Sequence, residues 1–461
     1  MTTELGLLLN TGALSVTSAL LAIAWGVPLG LFLLGLSRRA RAVTSALFAV
    51  PFLLPAFLIG VTLLPLVEAA PAAWLWIVFA HAFMNAGFMG LVVASAVSGI
   101  PKEQIEQAQL DGATRSALLR LVMLPQVTSA VVGAGLLVAL YSATSFGLVV
   151  SLGQGMVSTL ETEIAQTVLY QLDFQTGIWL ALLQTALTLA LVLSTRKFTT
   201  TGFSNLFGQS GYNFRSGLVS SVFGFAYLAL FGVFVLSIFL RSDFPNGFAL
   251  LGTRGARDIL NISVLEAALN SGKNLVGALL ISFPVAWLLA NRKSSIASRL
   301  ILIPIGISPV VIGLIFLIIS GYWLGAQLNT FLLLPIAQSL MLIPLIYQVL
   351  RPALLSLDSE IIDAAKLDGA GSVRTWFSVS MPMLRRPVLV ALSFAALASL
   401  GEFGAASFLA FGSEATLSLV MFQLASRPGP VNMSMAMSIA LLYLLLSAAV
   451  VYLISREKKA D

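Results

Sequence analysis

Long apolar runs separated by short polar segments make up most of this chain. Each run of about 18 or more apolar residues is long enough to cross the roughly 30 Å hydrocarbon layer of a membrane as a helix. The runs are continuous rather than alternating, which argues against a transmembrane β-barrel. The pattern predicts an all-α polytopic membrane protein with about 11 spans, near residues 5–36, 43–66, 73–97, 129–152, 176–193, 218–240, 274–290, 301–319, 331–350, 388–411 and 433–454.

Two polar segments interrupt this pattern with nearly the same sequence. Island 1 (residues 106–113) reads EQAQLDGA, and island 2 (residues 363–370) reads DAAKLDGA, 257 positions later. Both lie between long apolar runs and are too polar for the hydrocarbon layer. The same polar segment used twice suggests two docking points for a partner.

Each island predicts a helix, a tight turn and a second helix. Asp-Gly ends the first helix, because glycine adopts the left-handed conformation at little cost. Thr114 and Ser372 can N-cap the second helix. Pro125 and Pro382 suit the first turn of the span that follows, where a missing N–H does no harm.

The repeat extends beyond the islands. At the same spacing of 257, Ser145-Phe146-Gly147 corresponds to Glu402-Phe403-Gly404, and Thr159-Leu160 to Thr416-Leu417. Two halves in parallel orientation predict a pseudo-two-fold axis along the membrane normal, with a path between the halves.

Charge supports one topology, with the N-terminus outside and the C-terminus inside. Only 10% of the residues are charged and 58% are hydrophobic. Of 25 Lys and Arg, all but five fall in segments that this topology places inside, as the positive-inside rule requires; the five are Arg241, Arg254, Arg257, Lys273 and Arg427. This distribution explains the net charge of +6 without nucleic acid.

The chain has no cysteine and only one histidine, His81, which excludes disulfides, Cys-ligated metals and His-cluster sites.

The islands, each followed by Leu124-Pro125 or Met381-Pro382, resemble the cytoplasmic loop of binding-protein-dependent ABC importer permeases. In that family this loop is the coupling helix, which binds a groove of the ATPase. The resemblance implies two tandem MetI-like five-helix permease repeats (type I ABC importer) joined by one extra helix. It also implies that the residues contacting the ATPase are Glu106, Ala108, Asp111, Gly112 and Pro125 in the first copy, and Asp363, Ala365, Asp368, Gly369 and Pro382 in the second.

The same resemblance divides the chain and supplies its partners. Residues 1–197 form the first repeat with a coupling loop at 99–126, and residues 241–461 the second repeat with a coupling loop at 356–384. A cytoplasmic linker and the extra helix occupy 198–240. The implied partners are two copies of an ABC ATPase at the cytoplasmic face, an external solute-binding protein and membrane lipid, in the bacterial inner membrane. The chain itself would bind no cofactor, and ATP and Mg²⁺ would belong to the ATPase.

Fused chains with two such loops are typical, within the family, of importers of thiamine or thiamine pyrophosphate and of iron(III). The segments 145–148, 152–155, 158–166 and 180–184 are similar to thiamine permeases, so thiamine is placed ahead of iron(III).

Glu402 is the most unusual residue within an apolar run, and its helix also carries small residues. An ionisable group there should face the bundle interior or water. One interpretation places it in the substrate path with Ser145, Phe146 and Phe403, favouring a cation. The other is a structural carboxylate hydrogen-bonded between helices.

Three other polar residues in or near the predicted spans are expected to have structural roles. His81, which corresponds to Gln338, is expected to form an interhelical hydrogen bond, with a proton relay as the alternative. Asn10 and Asn270 are expected to cap their helices, with a place lining the mouth of the path as the alternative.

Other functions remain as alternatives. The chain lacks a G-x-x-x-x-G-K-[ST] stretch, so it is not expected to hydrolyse ATP. An ion-coupled secondary transporter would need intramembrane carboxylates, and Glu402 is nearly alone. A membrane enzyme is least consistent with the sequence.

Overall fold

The computed structural model describes residues 4–69, 72–195, 217–292, 301, 303–323, 330–357, 359–427 and 429–456, and every regular element among them is a helix. The first half contains α1 (Glu4–Gly35), α2 (Arg38–Leu53), α3 (Ala56–Ala69), α4 (Ala73–Ser98), α5 (Lys102–Leu110), α6 (Arg115–Ala117), a π-helical turn (Leu118–Met123), α7 (Leu124–Ala143), α8 (Phe146–Gly153), α9 (Leu160–Leu169) and α10 (Phe174–Thr195).

The second half repeats this order after one additional helix. It contains α11 (Leu218–Arg241), α12 (Asn246–Ala249), α13 (Val264–Asn291), a 3-10 turn (Ile303–Gly306), α14 (Pro309–Trp323), α15 (Thr330–Leu355), α16 (Ser359–Leu367), α17 (Ser372–Thr375), a second π-helical turn (Trp376–Ser380), α18 (Met381–Leu400), α19 (Gly404–Leu409), α20 (Leu417–Ala425) and α21 (Pro430–Arg456). The extra helix of the prediction is α11. Residues 198–216 of the predicted linker lie outside the described residues.

The predicted number of spans needs a correction. Within the described part of the chain, nine helical segments are long and apolar enough to cross a membrane, and α2 with α3 forms a tenth as a pair bent by 89°. Leu54 and Pro55 lie at this bend, and Pro55 cannot donate the hydrogen bond that would continue the helix. The predicted eighth span, residues 301–319, is instead a 3-10 turn followed by the 15-residue α14, which begins at Pro309.

Two further runs that were predicted as continuous spans, 129–152 and 388–411, are interrupted. The first divides into α7 and α8 after Ala143, and the second into α18 and α19 after Leu400. In the first, the Thr144 hydroxyl donates to the Leu140 carbonyl at 3.1 Å, a local bond of the kind that competes with the helix ladder. The interruptions fall at corresponding positions, 257 residues apart, and both border the central cavity described below.

The same hydrogen bonds recur in both halves at the face opposite the islands. Asn10 donates to the Ser158 carbonyl at 2.6 Å, and Asn270 donates to the Ala415 carbonyl at 3.3 Å and the Ser413 carbonyl at 2.8 Å. The two asparagines therefore tie α1 and α13 to the loops before α9 and α20, and the expectation that they cap their own helices is wrong.

Neighbouring residues strengthen the same connection. Thr11 accepts from the Leu160 amide at 3.0 Å, and Ser271 from the Leu417 amide at 2.8 Å. An amide N–H at the start of a helix has no partner within that helix. Each pair thus satisfies the first turn of α9 or α20 with a side chain from the first helix of its repeat.

Both islands lie on one face of the molecule. In the first half, α1 and α4 run parallel, since Asn10 contacts Trp74 near their starts and Leu34 packs with Val93 and Val97 near their ends. In the second half α13 and α15 are arranged alike, and Arg351 donates to the Ala290 carbonyl at their ends. We call this side the island face. That it is cytoplasmic, with the N-terminus outside, stays a prediction.

Candidate functional site

A cavity of about 350 Å³ lies between the two halves, and all four predicted substrate-path residues line it. Its walls come from α2, α3, α4 and α7 with α8 of the first half, and from α14, α15 and α18 with α19 of the second. Ser145 and Phe146 approach from one side, and Glu402 and Phe403 from the other. The structure thus brings together residues that are 257 positions apart in sequence.

The Glu402 carboxylate is buried and is bound by backbone. Its Oε1 accepts from the Ala405 amide at 2.6 Å, and its Oε2 accepts from the Ala406 amide at 3.0 Å. These amides belong to the first turn of α19, where N–H groups lack partners within the helix and a negative charge is favoured. Glu402 therefore caps α19 while one edge of it, 6% exposed, borders the cavity.

Ser145, the counterpart of Glu402, leaves the corresponding helix uncapped by a side chain. It precedes α8 with its side chain making no cap hydrogen bond. Its buried Oγ has no hydrogen-bond partner within the part of the chain that the structure describes.

Phe146 and Phe403 stack on one another, although each belongs to a different half. Their ring centroids are 5.4 Å apart and their planes differ by 18°. Phe57 and Phe422 extend this group, at 5.5 and 5.0 Å from the Phe403 ring. The close approach depends on Gly147, where an added Cβ would lie 2.8 Å from the Phe57 Cβ.

A second cavity of about 450 Å³ lies on the far side of this aromatic group. The first cavity reaches Phe57 and Gly147, and the second begins one helical turn further, at Val61 and Ser151. It also contains Glu68 and Arg427. The stacked phenylalanines thus separate a polar opening on the side away from the islands from the apolar cavity on the island side.

His81 and Gln338 occupy corresponding positions but behave differently. The Ser399 hydroxyl donates to Gln338 Oε1 at 2.7 Å, joining α15 to α18. In the first half the corresponding pair is His81 and Ser142, and neither His81 Nε2 nor Ser142 Oγ has a partner among the described residues. The interhelical hydrogen bond expected for His81 is therefore formed only by its counterpart.

Glu161 is a buried acidic residue in the stretch between the predicted spans 129–152 and 176–193. It is 0% exposed, and Gln184 donates to its Oε1 at 2.6 Å. Its helix, α9, also contacts α14 of the second half. A signal was present: Glu161 shares the face of α9 that carries Ile164 and Val168 at helical spacing.

The islands fold as predicted up to their turns. Gly112 and Gly369 have φ values of +82° and +79°. The Ala113 amide donates to the Ala108 carbonyl at 3.0 Å, and the Ala370 amide to the Ala365 carbonyl at 3.0 Å. This six-to-one bond across a left-handed glycine defines the Schellman end of α5 and of α16.

The second helices of the islands show one difference. Thr114 accepts from the Ala117 amide at 3.2 Å and caps α6 as expected. In island 2 the helix already begins at Ser372, and the Gly371 carbonyl accepts from the Thr375 amide at 2.9 Å. The cap position therefore belongs to Gly371, and the prediction for Ser372 is wrong by one residue.

Each short helix continues into a span through a π-helical turn. Pro125 and Pro382 stand at the second residue of α7 and α18. The π turns end with five-residue hydrogen bonds, from the Leu124 amide to the Leu119 carbonyl and from the Met381 amide to the Trp376 carbonyl. A wider turn of this kind relieves the clash between a proline ring and the carbonyl of the preceding turn.

The islands present polar residues and one exposed leucine each to the surroundings. Glu106, Asp111, Asp363 and Asp368 are exposed. Leu110 and Leu367, which sequence reasoning left out of the site, are 87% and 89% exposed at the last position of α5 and α16. Their position one helical turn after Glu106 and Asp363, on the acidic face, was the available signal.

Island 1 is firmly attached to the helices above it. Ile105, only 1% exposed, packs in a cluster with Leu34, Val97, Leu118 and Met123. Island 2 is attached through Trp376, whose ring contacts the Trp287 ring of α13 at 6.0 Å. Each island is therefore held by packed side chains at the end of the helix bundle.

Comparison with known proteins gives a family match in both halves. Residues 23–200 and 278–459 match the family described as binding-protein-dependent transport system inner membrane component. A thiamine transport system permease protein from Brucella abortus is 26% identical over 443 residues, covering 88% of this chain and 79% of that protein.

Shorter relatives match part of the chain. Molybdenum transport system permease proteins from Haemophilus influenzae and Escherichia coli are 27% and 29% identical over 188 and 185 residues. They cover 37% and 36% of this chain, but 82% and 81% of their own lengths. Nearly whole permeases thus correspond to little more than a third of this sequence.

Proposed function

This chain belongs to the family of binding-protein-dependent transport system inner membrane components, and on that premise we propose that it carries thiamine or a thiamine phosphate into the cytoplasm. As a family member it is a multi-pass inner-membrane permease and a non-catalytic subunit of an ABC importer. Permeases of this family work with an ABC ATPase and a binding protein.

Two observations support thiamine. The thiamine permease of Brucella abortus aligns across both repeats, covering 88% of this chain. The central cavity is lined by aromatic and aliphatic side chains with a few polar groups, and none of the described residues lining it is a lysine or an arginine. Aromatic faces attract organic cations through their electron-rich centres.

The same cavity argues against the iron(III) alternative. A hard cation is bound by several oxygen ligands, mainly carboxylates and carbonyls. Glu402 is the one carboxylate among the described residues that line this cavity. Both of its oxygens already accept backbone N–H groups.

The two islands support docking of two ATPase subunits. Each is an exposed, structurally similar projection with a left-handed glycine, exposed acids and one exposed leucine. In this proposal Glu106, Ala108, Asp111 and Gly112 contact one ATPase, and the corresponding residues of island 2 contact the other.

Reconstitution tests the proposal directly. The permease is placed in proteoliposomes with the ATPase and binding protein from its own source, and uptake of radiolabelled thiamine is followed with and without ATP. We expect ATP-dependent accumulation that unlabelled thiamine suppresses and iron(III) does not. Uptake of iron(III) in place of thiamine contradicts the substrate. Uptake that persists without the ATPase and follows an ion gradient would instead indicate a secondary transporter.

A further inference from the structure

The two halves of the central cavity differ in how their buried polar atoms are satisfied. In the second half, Ser399 pairs with Gln338, and Glu402 binds two backbone amides. In the first half, His81 Nε2 and the Ser145 hydroxyl have no partner among the described residues. At corresponding positions, the polar side-chain atoms are therefore hydrogen-bonded in the second repeat and lack a hydrogen-bond partner in the first.

Buried polar atoms are nearly always paired with protein, water or a ligand, because leaving them unpaired costs stability. His81 and Ser145 are 2% and 8% exposed, and both line the 350 Å³ cavity. The unpaired atoms themselves are closed off from the cavity space, so a partner in the cavity reaches them when the His81 or Ser145 side chain turns toward it. The size of the cavity falls within the range typical of small-molecule sites.

The polar groups of the cavity lining indicate which hydrogen-bonding groups such a ligand must carry. Asn85 donates its Nδ2 to the His81 carbonyl at 2.7 Å, which leaves its Oδ1 as an acceptor. A neutral imidazole offers one donor and one acceptor, and a hydroxyl can act as either. The three polar groups therefore suit a molecule that both donates and accepts hydrogen bonds.

Aromatic side chains form much of the remaining wall. Phe52, Tyr141, Phe146 and Phe403 all border the cavity. Flat rings stack in offset or edge-to-face arrangements against such walls. A planar ring with polar edges fits this combination better than a compact ion or a flexible aliphatic molecule.

We propose that His81, Asn85 and Ser145 form a recognition subsite, within the permease itself, for an amino-bearing nitrogen heteroaromatic ring. The identity of the ligand rests on the proposed function, under which this ring is the aminopyrimidine of thiamine. The subsite belongs to the first repeat alone, because the second repeat has Gln338, Leu342 and Glu402 at these positions.

The test measures binding to the assembled permease and ATPase in nanodiscs, without ATP and without the binding protein. Radiolabelled thiamine is the probe, with 4-amino-2,5-dimethylpyrimidine and a thiazolium fragment as competitors. We expect saturable thiamine binding that the pyrimidine displaces and the thiazolium does not. Ser145→Ala should weaken binding about tenfold, the usual effect of losing one hydrogen bond.

Two further variants separate recognition from folding. In the second half Gln338 pairs with Ser399, and His81→Gln places the same side chain beside Ser142, the counterpart of Ser399. This variant should therefore fold normally while weakening thiamine binding about tenfold. Ser282→Ala is the matched control: its hydroxyl is also buried without a partner among the described residues, but it lines neither cavity. Binding to Ser282→Ala should be unchanged.

Equal affinity of Ser145→Ala, His81→Gln and the control would overturn the subsite, and the unpaired atoms would then be satisfied by water. Transport of thiamine by a complex that binds none without its binding protein would also overturn it, while leaving the proposed function intact. Should thiamine not be transported at all, the proposed function fails. The subsite then stands if pyrimidine binding depends on Ser145, and falls if it does not.

Discussion

The two repeats share a framework but differ where they meet. At positions 145 and 402 the first repeat has a serine with an unpaired hydroxyl, and the second has a glutamate that caps the next helix. At positions 161 and 418 the chemistry is exchanged, with a buried glutamate in the first repeat and a buried serine in the second. Each half thus keeps one buried carboxylate near its helix interruption, but at a different point.

The shared features are those on which the fold depends. Both repeats use an asparagine and a neighbouring hydroxyl to hold the start of α9 or α20, and both end the island helix at a left-handed glycine. These contacts satisfy backbone groups at helix ends, which every helix must do. In the cavity lining only the second repeat meets that requirement with a side chain at this position, since Glu402 binds two amides and its counterpart Ser145 binds none, and the two halves differ there.

Orientation provides the largest, all-or-none test of the comparison. The chain has no native cysteine, so single cysteines can be introduced at Leu110 and Leu367, the exposed tips of the islands. A third at Gln154, exposed near the opposite face, completes the set. With the permease expressed without its ATPase, we expect an impermeant maleimide to label Leu110→Cys and Leu367→Cys only from the cytoplasm, and Gln154→Cys only from outside.

Labelling of the two island cysteines from opposite sides would contradict parallel repeats. Labelling of all three from one side would contradict the path of the chain through α7 and α8, which carries it from the island face to Gln154 at the opposite face.

Loss of coupling is the next largest expected effect. A side chain at the φ of +79° found for Gly369 costs about 1–2 kcal/mol, although no atom lies within 4 Å of an added Cβ. We expect Gly369→Val to leave the permease in the membrane but to loosen its ATPase and abolish uptake, with Gly112→Val giving the same result in island 1. ATPase co-purification and thiamine uptake measure this.

Gly371 supplies the matched control in the same turn. It also has open space around it, and the corresponding residue of island 1 is Thr114. Gly371→Thr should retain coupling. Normal ATPase binding and uptake in Gly369→Val would show that the island turn does not govern the interaction.

Sequence patterns predicted the helical class, the islands and the repeat because these depend on local chemistry and on hydrophobic length. The left-handed glycines follow from Asp-Gly alone. The four interruptions were harder to predict. A run such as 388–411 has Glu402 as its one charged residue and is otherwise made of apolar residues, glycine and serine, and composition does not distinguish one long helix from two short ones that meet at a capping carboxylate.

The unpaired groups could not be predicted either, since pairing depends on which helix faces which. His81 and Gln338 are equally polar in the sequence, and only their neighbours differ in the fold. A place beside the substrate path was one of two interpretations of Glu402; the residue lines the cavity, and its part in transport stays a prediction. Its role as a helix cap follows from backbone atoms that become available only once the helix is broken.

Substitution of Glu402 should have an intermediate effect and decide between its two interpretations. Glu402→Leu leaves the amides of Ala405 and Ala406 buried without an acceptor, at a cost of roughly 1–3 kcal/mol each. Glu402→Gln retains one acceptor oxygen, and we expect it to keep most of its stability and uptake. Expression, thermal unfolding in detergent and thiamine uptake distinguish the variants.

The charge-based interpretation would be supported if Glu402→Gln lost transport without losing stability. If Glu402→Gln is as stable as the native protein but transports thiamine tenfold more slowly, the carboxylate acts on the cation rather than on α19.

The smallest expected difference concerns one carbonyl that both repeats satisfy in different ways. Gln184 donates to the Ala143 carbonyl at 2.9 Å, and the Tyr443 hydroxyl donates to the corresponding Leu400 carbonyl at 2.6 Å. Gln184 also donates to Glu161, whereas Tyr443 has no such second role in the described contacts. Removing the two side-chain donors therefore should not cost the same.

We expect Tyr443→Phe to lower the free energy of unfolding by about 1 kcal/mol, the usual net value of one neutral hydrogen bond. Tyr227→Phe, which loses a buried hydroxyl bond to the Phe83 carbonyl, calibrates that value within the same protein. Gln184→Leu should cost roughly 2–4 kcal/mol, because it removes the donor from a buried carboxylate as well as from a carbonyl. Equal losses in Gln184→Leu and Tyr443→Phe, measured by unfolding in mixed micelles, would mean that Glu161 gains nothing from Gln184. The carboxyl group would then be satisfied from the second repeat, through the contact between α9 and α14, and the first repeat would depend on its partner half for the hydrogen bonds of its own buried acid.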